Sequence, residues 1–595
     1  MDSPSFLRFA ARNADLERLR RRPEIASLEV DSESGSDFAS AYSNSSGEYA
    51  HTLPNFGIAG TAGKSIVVGV LEQFLKNGCE IGEEHEAFSA LSVGPGGKKV
   101  DYLASVQSCI SPSSCNCVAS VPTGSNVYCT SAGHCRVNDG DHTTQVASRI
   151  AGHAGTTNHH ASRVSLVVAN NSDIHDVAKL TSDYESFVSK GVTIINQSFS
   201  PPQRWSPIHS LMDWESYNRR VLLVQATADG PIAGTSSQEQ QVTSCIALNS
   251  LCVASTNAQG TYNSYTNDTF AQGTTENPFD PTQSVQSRPH MDVERPDVVS
   301  EGAEAVVANS QQSMLADWTT KSGTSFAAPV VTGLAAILAK KCQDNGWPFS
   351  PELMRSIIRT GSPKKHTMVP TSFPSYPYGG LAGRYSGSRP DGGAPNVSRD
   401  YFVGVGIPDG DSLNLFCNPQ SPPDCSVGCA GSSSGSNLGT LPWQAIPSWM
   451  MSASHDSNGN VSPGNRGKGP LKPTVSQYAK LASLGNLSSG SRVRATFSFS
   501  VCPDASVQAM KPVPTGDYDL VLCPLGQSCL AVSDSFDDVN EGFDVILPGS
   551  GQTYSDVQMF VVRPTGTGSC NTAQIPGGPA PHPFDPWSIS WIVWQ

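Results

Sequence analysis

Ser325 opens a stretch, KSGTSFAAPVVTGLAAILAK from Lys321 to Lys340, in which a small-residue turn runs into an apolar segment uncharged until its end. A run apolar on every face predicts a helix buried all round, with Ser325 at its mouth. Backbone N–H groups without helical partners, and the positive end of the helix dipole, would there face any oxygen that gains negative charge. A nucleophile needs that placement, although an N-cap serine on a core helix has the same local sequence. Pro329 suits a position close to a helix start. In DGDHTTQVASRIAG the apolar Val146, Ala147, Ile150 and Ala151 fall at helical spacing, so His142 stands at a helix N-terminus that Asp139 or Asp141 could cap. An imidazole there can move protons or be merely structural. Glu72 ends SIVVGVL, an unbroken β-rich run. Acidic residues at such strand ends face the crevice where α/β proteins place their chemistry, or act as solvated caps.

The elements that must position these groups follow a pattern. The runs at Ser65–Leu71 and Val192–Ser198 (VTIINQS) read as buried strands, and RVLLVQATADG at Arg220–Gly230 as another. SPELMRSIIRTGS reads as a helix whose start is signalled by Ser350 and Pro351. Strands alternating with helices at this pace predict a parallel α/β sheet with helices on both faces. At 595 residues, two or three domains are expected. With 38 basic against 52 acidic residues the formal net charge is -14, which argues against nucleic acid and anionic membranes as partners. No apolar stretch reaches the roughly 18 residues of a membrane span, so the chain is expected to be soluble.

Sixteen cysteines, several closely spaced as at Cys109, Cys115 and Cys117 or Cys425 and Cys429, suggest disulfides and an oxidising, extracellular compartment. Zinc is the rival reading, but paired C-x-x-C spacing and nearby histidines are lacking. The segment between Val100 and Arg136 reads as a disulfide-tied insertion. The first residues show no signal-peptide core, so either an export signal has been removed or the compartment is not extracellular. His153, His159 and His160 form a loose cluster that could bind metal or consist of solvated loop histidines, and no metal site is assigned to them.

Read at length, GTSFAAPVVTG resembles the serine motif of the subtilisin-like peptidases. The segment HTTQVASRIAG resembles their H-G-T-x-V-A-x-x-x-A-G motif, with Thr143 in place of glycine. Glu72, followed by HEAF at His85, resembles their strand–aspartate–H-P-x-[FL] motif, with glutamate for aspartate. Further likeness lies in VTIINQS (I-N-x-S-x-G, with Ser200 for the glycine), RPDVVSEG at Arg295 and GVGIPDG near Gly404. The resemblance covers roughly Asn55 to Asp411. It implies an acid, histidine, serine order in which Ser325 attacks a peptide carbonyl, His142 serves as general base and acid, and Glu72 orients the imidazole. It also implies a substrate wall at Ser198, Phe199 and Ser200, polypeptide substrates, and no required cofactor. One oxyanion donor would be the Ser325 N–H. The other falls on Asp229, or on Ala228 if the register slips by one, where the family has asparagine.

An ionised Asp229 would repel the oxyanion, whereas a protonated one could donate to it. Activity is then skewed toward acid, and Asp229→Asn should flatten the pH–rate profile; an unchanged profile in the variant removes the idea. A sedolisin-like acid peptidase is the other enzyme reading, though its glutamate replaces the histidine. A pseudopeptidase that only binds is the non-enzyme reading.

Residues 1–33 resemble the end of an inhibitory pro-segment, or form an ordinary solvated N-terminal extension, and 34–54 read as a flexible linker. The catalytic unit is expected over 55–411, followed by a stapled Cys/Gly/Ser-rich linker over 412–470. Over 471–595, alternating runs at Val493, Asp517, Phe543 and Asp556 predict an antiparallel sandwich resembling the accessory β domains of some secreted relatives. Asp534, Asp537, Asp538 and Glu541 are candidates for structural calcium or a solvated acidic loop. A monomer is expected.

Overall fold

The computed structural model describes residues 65–72, 85–95, 97–103, 127–129, 135–137, 142–151, 153–154, 158–159, 161, 163–170, 176–199, 207–227, 245, 247–257, 269–270, 296–302, 305–308, 318–362, 406–408, 410–418, 429–451, 475–500, 518–533, 540–564 and 586–594. The segments read as pro-segment and flexible linker lie outside these residues, as do Ala228, Asp229 and Ser200.

Seven strands pair in parallel: β1 (Val67–Glu72), β2 (Val100–Tyr102), β3 (Ser165–Asn170), β4 (Ile194–Gln197), β5 (Leu222–Ala226), β6 (Ser250–Asn257) and β7 (Val298–Glu301). Their order across the sheet is β7-β6-β5-β4-β1-β3-β2, with a two-residue antiparallel strand, Thr269–Phe270, also on β6. Val100–Tyr102, read as part of an insertion, thus forms the outer edge of the sheet. Three residues carry too little periodicity to be recognised as a strand without their partner.

The strand order reverses around β1, which has β3 on one side and β4 on the other. In open parallel sheets such a reversal opens a crevice at the carboxyl ends of the strands. The two-residue alternation of β1 sorts its side chains. Val68 and Val70 enter the core under α1 (His142–Ala151) and α4 (Thr324–Asp344), while Val67 and Leu71 face α2 (Val177–Ser189) and α3 (Pro207–Arg219). Glu72 shares the parity of Val68 and Val70 and so projects on the α1 and α4 side. Gly69 leaves room for α2, since a Cβ would lie 3.0 Å from the Phe187 ring.

Helix α4 is long and apolar enough to cross a membrane by length and composition, which the count of uncharged runs missed. Its most apolar window is 89% buried in the protein, against the sheet. The small side chains Ala327, Ala328, Ala335, Ala336 and Ala339 let it sit close to the strands.

On the opposite face α3 carries Glu215, 1% exposed, with Arg219 Nε 3.5 Å away. Burial pushes the Glu215 carboxyl from an ordinary value of 4.5 up to about 7, and Arg219 only partly offsets this. A carboxyl that holds its proton more tightly when folded adds stability that is complete below the unfolded pKa and lost as pH rises toward about 7. Glu215→Gln should therefore gain on the wild type between pH 4 and 8, by roughly 3 kcal/mol at most. Urea unfolding at several pH values checks this, and a pH-independent difference between the two proteins excludes it.

Helix α5 (Pro351–Thr360) starts as its sequence predicts, with Ser350 Oγ accepting from Leu353 N at 3.0 Å. It lies between the parallel sheet and the C-terminal strands and joins them through buried charges. Arg220 forks onto Glu352 at 3.0 and 2.5 Å, and Ser500 Oγ donates to the same carboxylate. Burial pushes the Glu352 carboxyl up, but Arg220, Arg355 and these hydrogen bonds outweigh it and hold it below the ordinary value. Arg355 reaches the carbonyls of Leu248 (3.3 Å) and Phe499 (2.8 Å), and Arg359 pairs with Asp297, whose other oxygen accepts from Cys252 N at 2.8 Å.

The C-terminal region forms two antiparallel sheets. Cys429–Gly435, Trp587–Trp594, Arg492–Phe499 and Asn540–Ile546 make a four-stranded one. Gln444–Ala445, Val475–Ser488, Thr553–Pro564, Asp519–Pro524 and Ala531–Ser533 make a five-stranded one. Phe497, Ile589 and Trp591 of the first share a core with Leu522, Met559 and Val561 of the second. The stretch read as a linker over 412–470 contributes to both units. Leu413 and Phe416 pack in the core of the parallel sheet, while Cys429–Gly435 pairs with Trp587–Trp594 and Gln444–Ala445 with Val475–Ser488. Glycine and serine mask a strand whose partner supplies the tryptophans: Cβ atoms at Gly431 and Gly435 would meet the Trp591 and Trp587 rings at 2.5 and 2.6 Å.

Among the described residues, disulfides join Cys245 to Cys252, Cys342 to Cys417 and Cys523 to Cys529. The cysteine-rich run Cys109–Cys117 and Cys425 lie outside them.

Candidate active site

The crevice beside β1 collects the chemistry-bearing residues. Glu72, fully buried at the strand end, accepts from His142 Nδ1 through Oε2 at 2.9 Å. A carboxylate only accepts, so Nδ1 carries the proton and Nε2 of the neutral ring is left as the basic nitrogen. The imidazole sits in the first turn of α1, half-buried, and its ring lies 5.4 Å from that of Phe326, the residue after Ser325. Thr143, where the resembling motif has glycine, is fully buried in the same turn.

Helix α1 packs against α4 and is fastened to its first turn. Arg149, two turns below His142 and fully buried, donates from Nε to the Phe326 carbonyl at 3.3 Å. Ser148 Oγ donates to Gln145 O at 2.7 Å and accepts from Ala308 N at 3.0 Å, tying α1 to β8 (Ala305–Ala308).

Ser325 occupies the second position of α4, half-buried, behind the cap residue Gly323. Gly323 has φ 156°, and its N–H donates to Gly302 O at 2.8 Å. At Gly302 a Cβ would lie 2.4 Å from Gly323 O and 2.5 Å from Ser255 Oγ, so only glycine allows this approach of β7 to the helix mouth. Ser325 Oγ donates to the Ser198 carbonyl at 3.2 Å, and Ser198 Oγ donates to the Ser325 carbonyl at 2.8 Å. The nucleophile candidate is thus clasped to the end of β4, one strand over from Glu72.

The HEAF segment has a place in this frame. His85 Nδ1 accepts from Ala87 N at 3.1 Å, and its ring stands edge-on to Trp318 at 4.9 Å. Trp318 Nε1 donates to Glu86 Oε1 at 2.8 Å. Trp318 opens β9 (Trp318–Lys321), which leads into Gly323 and Ser325, so the loop after the acidic strand braces the approach to the serine.

The structure brings Glu72, His142, Ser198 and Ser325 to one crevice. Phe199, expected at the substrate wall, packs its ring with Leu180, Tyr184 and Leu211 in the α2 and α3 core, so any contact it makes with a peptide comes from its backbone. Backbone pairing sets His153 opposite His159, and among the described residues no His, Cys, Asp or Glu group could hold a metal ion. Of the calcium candidates only Glu541 is described, buried and accepting from Ser533 Oγ. Sequence reasoning missed Arg149 and Trp318. The signal for Arg149 was a charged side chain on a helix whose periodicity buries it, whereas Trp318 stands on a four-residue strand that gave none.

The model of the subtilase family matches residues 63–395. Among solved structures, the prenylagaramide maturation protease PagA is 16% identical, covering 50% of this chain and 84% of its own at a TM-score of 0.32. The PatG macrocyclase in complex with peptide is 16% identical, covering 51% and 84% at 0.35. A cold-adapted subtilisin-like serine proteinase is 15% identical, covering 51% and 84% at 0.31. No curated protein matches.

Proposed function

Because this chain belongs to the subtilase family, we propose that it is a secreted serine endopeptidase working through an acyl-enzyme on Ser325. The observation that carries the reading is the 2.9 Å bond from His142 Nδ1 to the buried Glu72, at the mouth of the Ser325 helix. His142 takes the Ser325 proton as the hydroxyl attacks a peptide carbonyl, then returns it to the departing amine. Glu72 holds the tautomer and stabilises the imidazolium, its Oε2 lying 2.9 Å from Nδ1. The Ser325 N–H, in the first turn of α4, supports the oxyanion, with the protonated form of Asp229 as the second donor. Residues 1–33 act as an inhibitory segment, and the C-terminal antiparallel sheets as an accessory unit. The substrates are polypeptides, and neither nucleic acid nor a membrane takes part.

A fluorophosphonate probe tests this directly. Wild-type protein should form one adduct, mapped by mass spectrometry to Ser325. No labelling anywhere from pH 4 to 8, or an adduct on another residue, favours a protein that uses the fold only for binding.

A further inference from the structure

One carbonyl at the start of α4 cannot be filled by the ordinary helical pattern. In an α-helix the carbonyl of residue i accepts from the N–H of residue i+4. Four residues after Ser325 stands Pro329, inside the helix, with no N–H to give and a ring that crowds the carbonyl of residue i−4. The residue whose backbone loses its bond is therefore Ser325. The donor that takes the vacant place comes from the residue that follows β4: Ser198 Oγ, 2.8 Å from that carbonyl.

Proton counting fixes the direction of what lies behind it. The single Ser198 hydroxyl proton goes to the Ser325 carbonyl, so Ser198 Oγ must accept from its other neighbour. That neighbour is Asn196, whose Nδ2 donates to it at 2.9 Å. The Asn196 amide is thereby oriented, and its Oδ1 faces Thr332 Oγ1 at 3.0 Å as an acceptor. Thr332 also lies 3.0 Å from Ala328 O, the α-helical position behind it, so its proton is shared between two acceptors. Asn196, Ser198 and Thr332 are all fully buried. Thr332 lies on the same helix as Ser325, two turns on, so the chain of hydrogen bonds leaves the helix, crosses Ser198 and Asn196 at the end of β4 and returns to it.

We propose that Ser198, Asn196 and Thr332 form a positioning relay that replaces the helical bond removed by Pro329 and holds the backbone of the nucleophile. The proposal rests on the reading of Ser325 as nucleophile. Ser198 acts here through its side chain on the enzyme's own backbone, separately from any contact of its main chain with substrate. The reciprocal bond, Ser325 Oγ to Ser198 O, means that the same clasp sets both the peptide plane and the resting hydroxyl of Ser325.

The decisive comparison pairs Ser198→Ala with Pro329→Ala. Ser198→Ala should lower kcat and the rate of fluorophosphonate labelling about tenfold with KM within about twofold, since the loss falls on the reacting serine and not on substrate binding. Pro329→Ala restores an N–H at the position that the carbonyl lacks. The double variant should therefore recover to within about threefold of Pro329→Ala alone, a coupling that general destabilisation does not produce. Thr332→Val, near-isosteric without the hydroxyl, serves if Ser198→Ala does not fold. It should slow labelling about threefold while Thr332→Ser does not. Labelling of Ser198→Ala at the wild-type rate, or a double variant no better than Ser198→Ala, overturns the relay. If the wild type is not labelled at all, the peptidase reading fails instead. Crystal structures then decide the relay: a Ser325 carbonyl displaced in Ser198→Ala and returned in the double variant supports it, and an unmoved carbonyl overturns it.

Discussion

Ser325→Ala is expected to lower peptide hydrolysis by a factor on the order of 10⁶, a magnitude that comes from subtilisin itself. The alanine leaves α4, its cap at Gly323 and the Glu72–His142 bond in place, because the serine hydroxyl gives one hydrogen bond, to Ser198 O, and is half-buried. What disappears is the atom that forms the acyl bond, and no neighbouring hydroxyl replaces it, since that of Ser198 is committed to the Ser325 carbonyl. Intact mass gives an independent reading. If the wild type cleaves its own polar stretch over 34–54, it is recovered shortened, whereas the alanine variant keeps its full mass. A variant within a hundredfold of the wild type in hydrolysis is incompatible with Ser325 as nucleophile.

Glu72→Gln should cost about 10⁴ in turnover while the protein folds with unchanged stability to within about 1 kcal/mol. An amide at position 72 fills the same volume at the end of β1. It can, however, present an N–H to Nδ1, which moves the ring proton to Nε2 and, in the proposed mechanism, leaves no basic nitrogen to take the Ser325 proton. Glu72→Asp separates charge from reach. It keeps an acceptor but withdraws it by about one C–C bond from a contact of 2.9 Å, so its loss should be smaller than that of the glutamine variant. Steady-state kcat of both variants, with urea unfolding as control, decides the matter. A glutamine variant within tenfold of the wild type would remove Glu72 from the mechanism.

Much of the parallel-sheet unit was legible because its signals are local. SIVVGVL is apolar over a span that matches β1, VTIINQS carries the β-branched pair that opens β4, and SPEL carries the serine and proline that start α5. The antiparallel strands at Arg492–Phe499 and Thr553–Pro564 were legible for the same reason, through their two-residue alternation. Val100–Tyr102 and Cys429–Gly435 were not. One is three residues long at an edge, and the other is built of Gly and Ser whose place is set by tryptophans about 155 residues further on. The length of α4 resembles that of a membrane span, and only its packing against the sheet shows where its apolar surface goes.

By itself the sequence determined which groups could react: a serine at the mouth of an apolar helix, a histidine heading an amphipathic one, and a glutamate ending a buried strand. Those are properties of neighbouring residues, governed by capping, periodicity and dipole. Only the tertiary structure decided that Glu72 meets His142 across 70 residues, that Arg149 braces the turn holding Ser325, and that Ser198 supplies the hydrogen bond Pro329 denies. The physical reason is that a buried polar atom takes whichever partner the packing of the sheet and its helices brings within about 3 Å, and no local pattern in the chain encodes that partner.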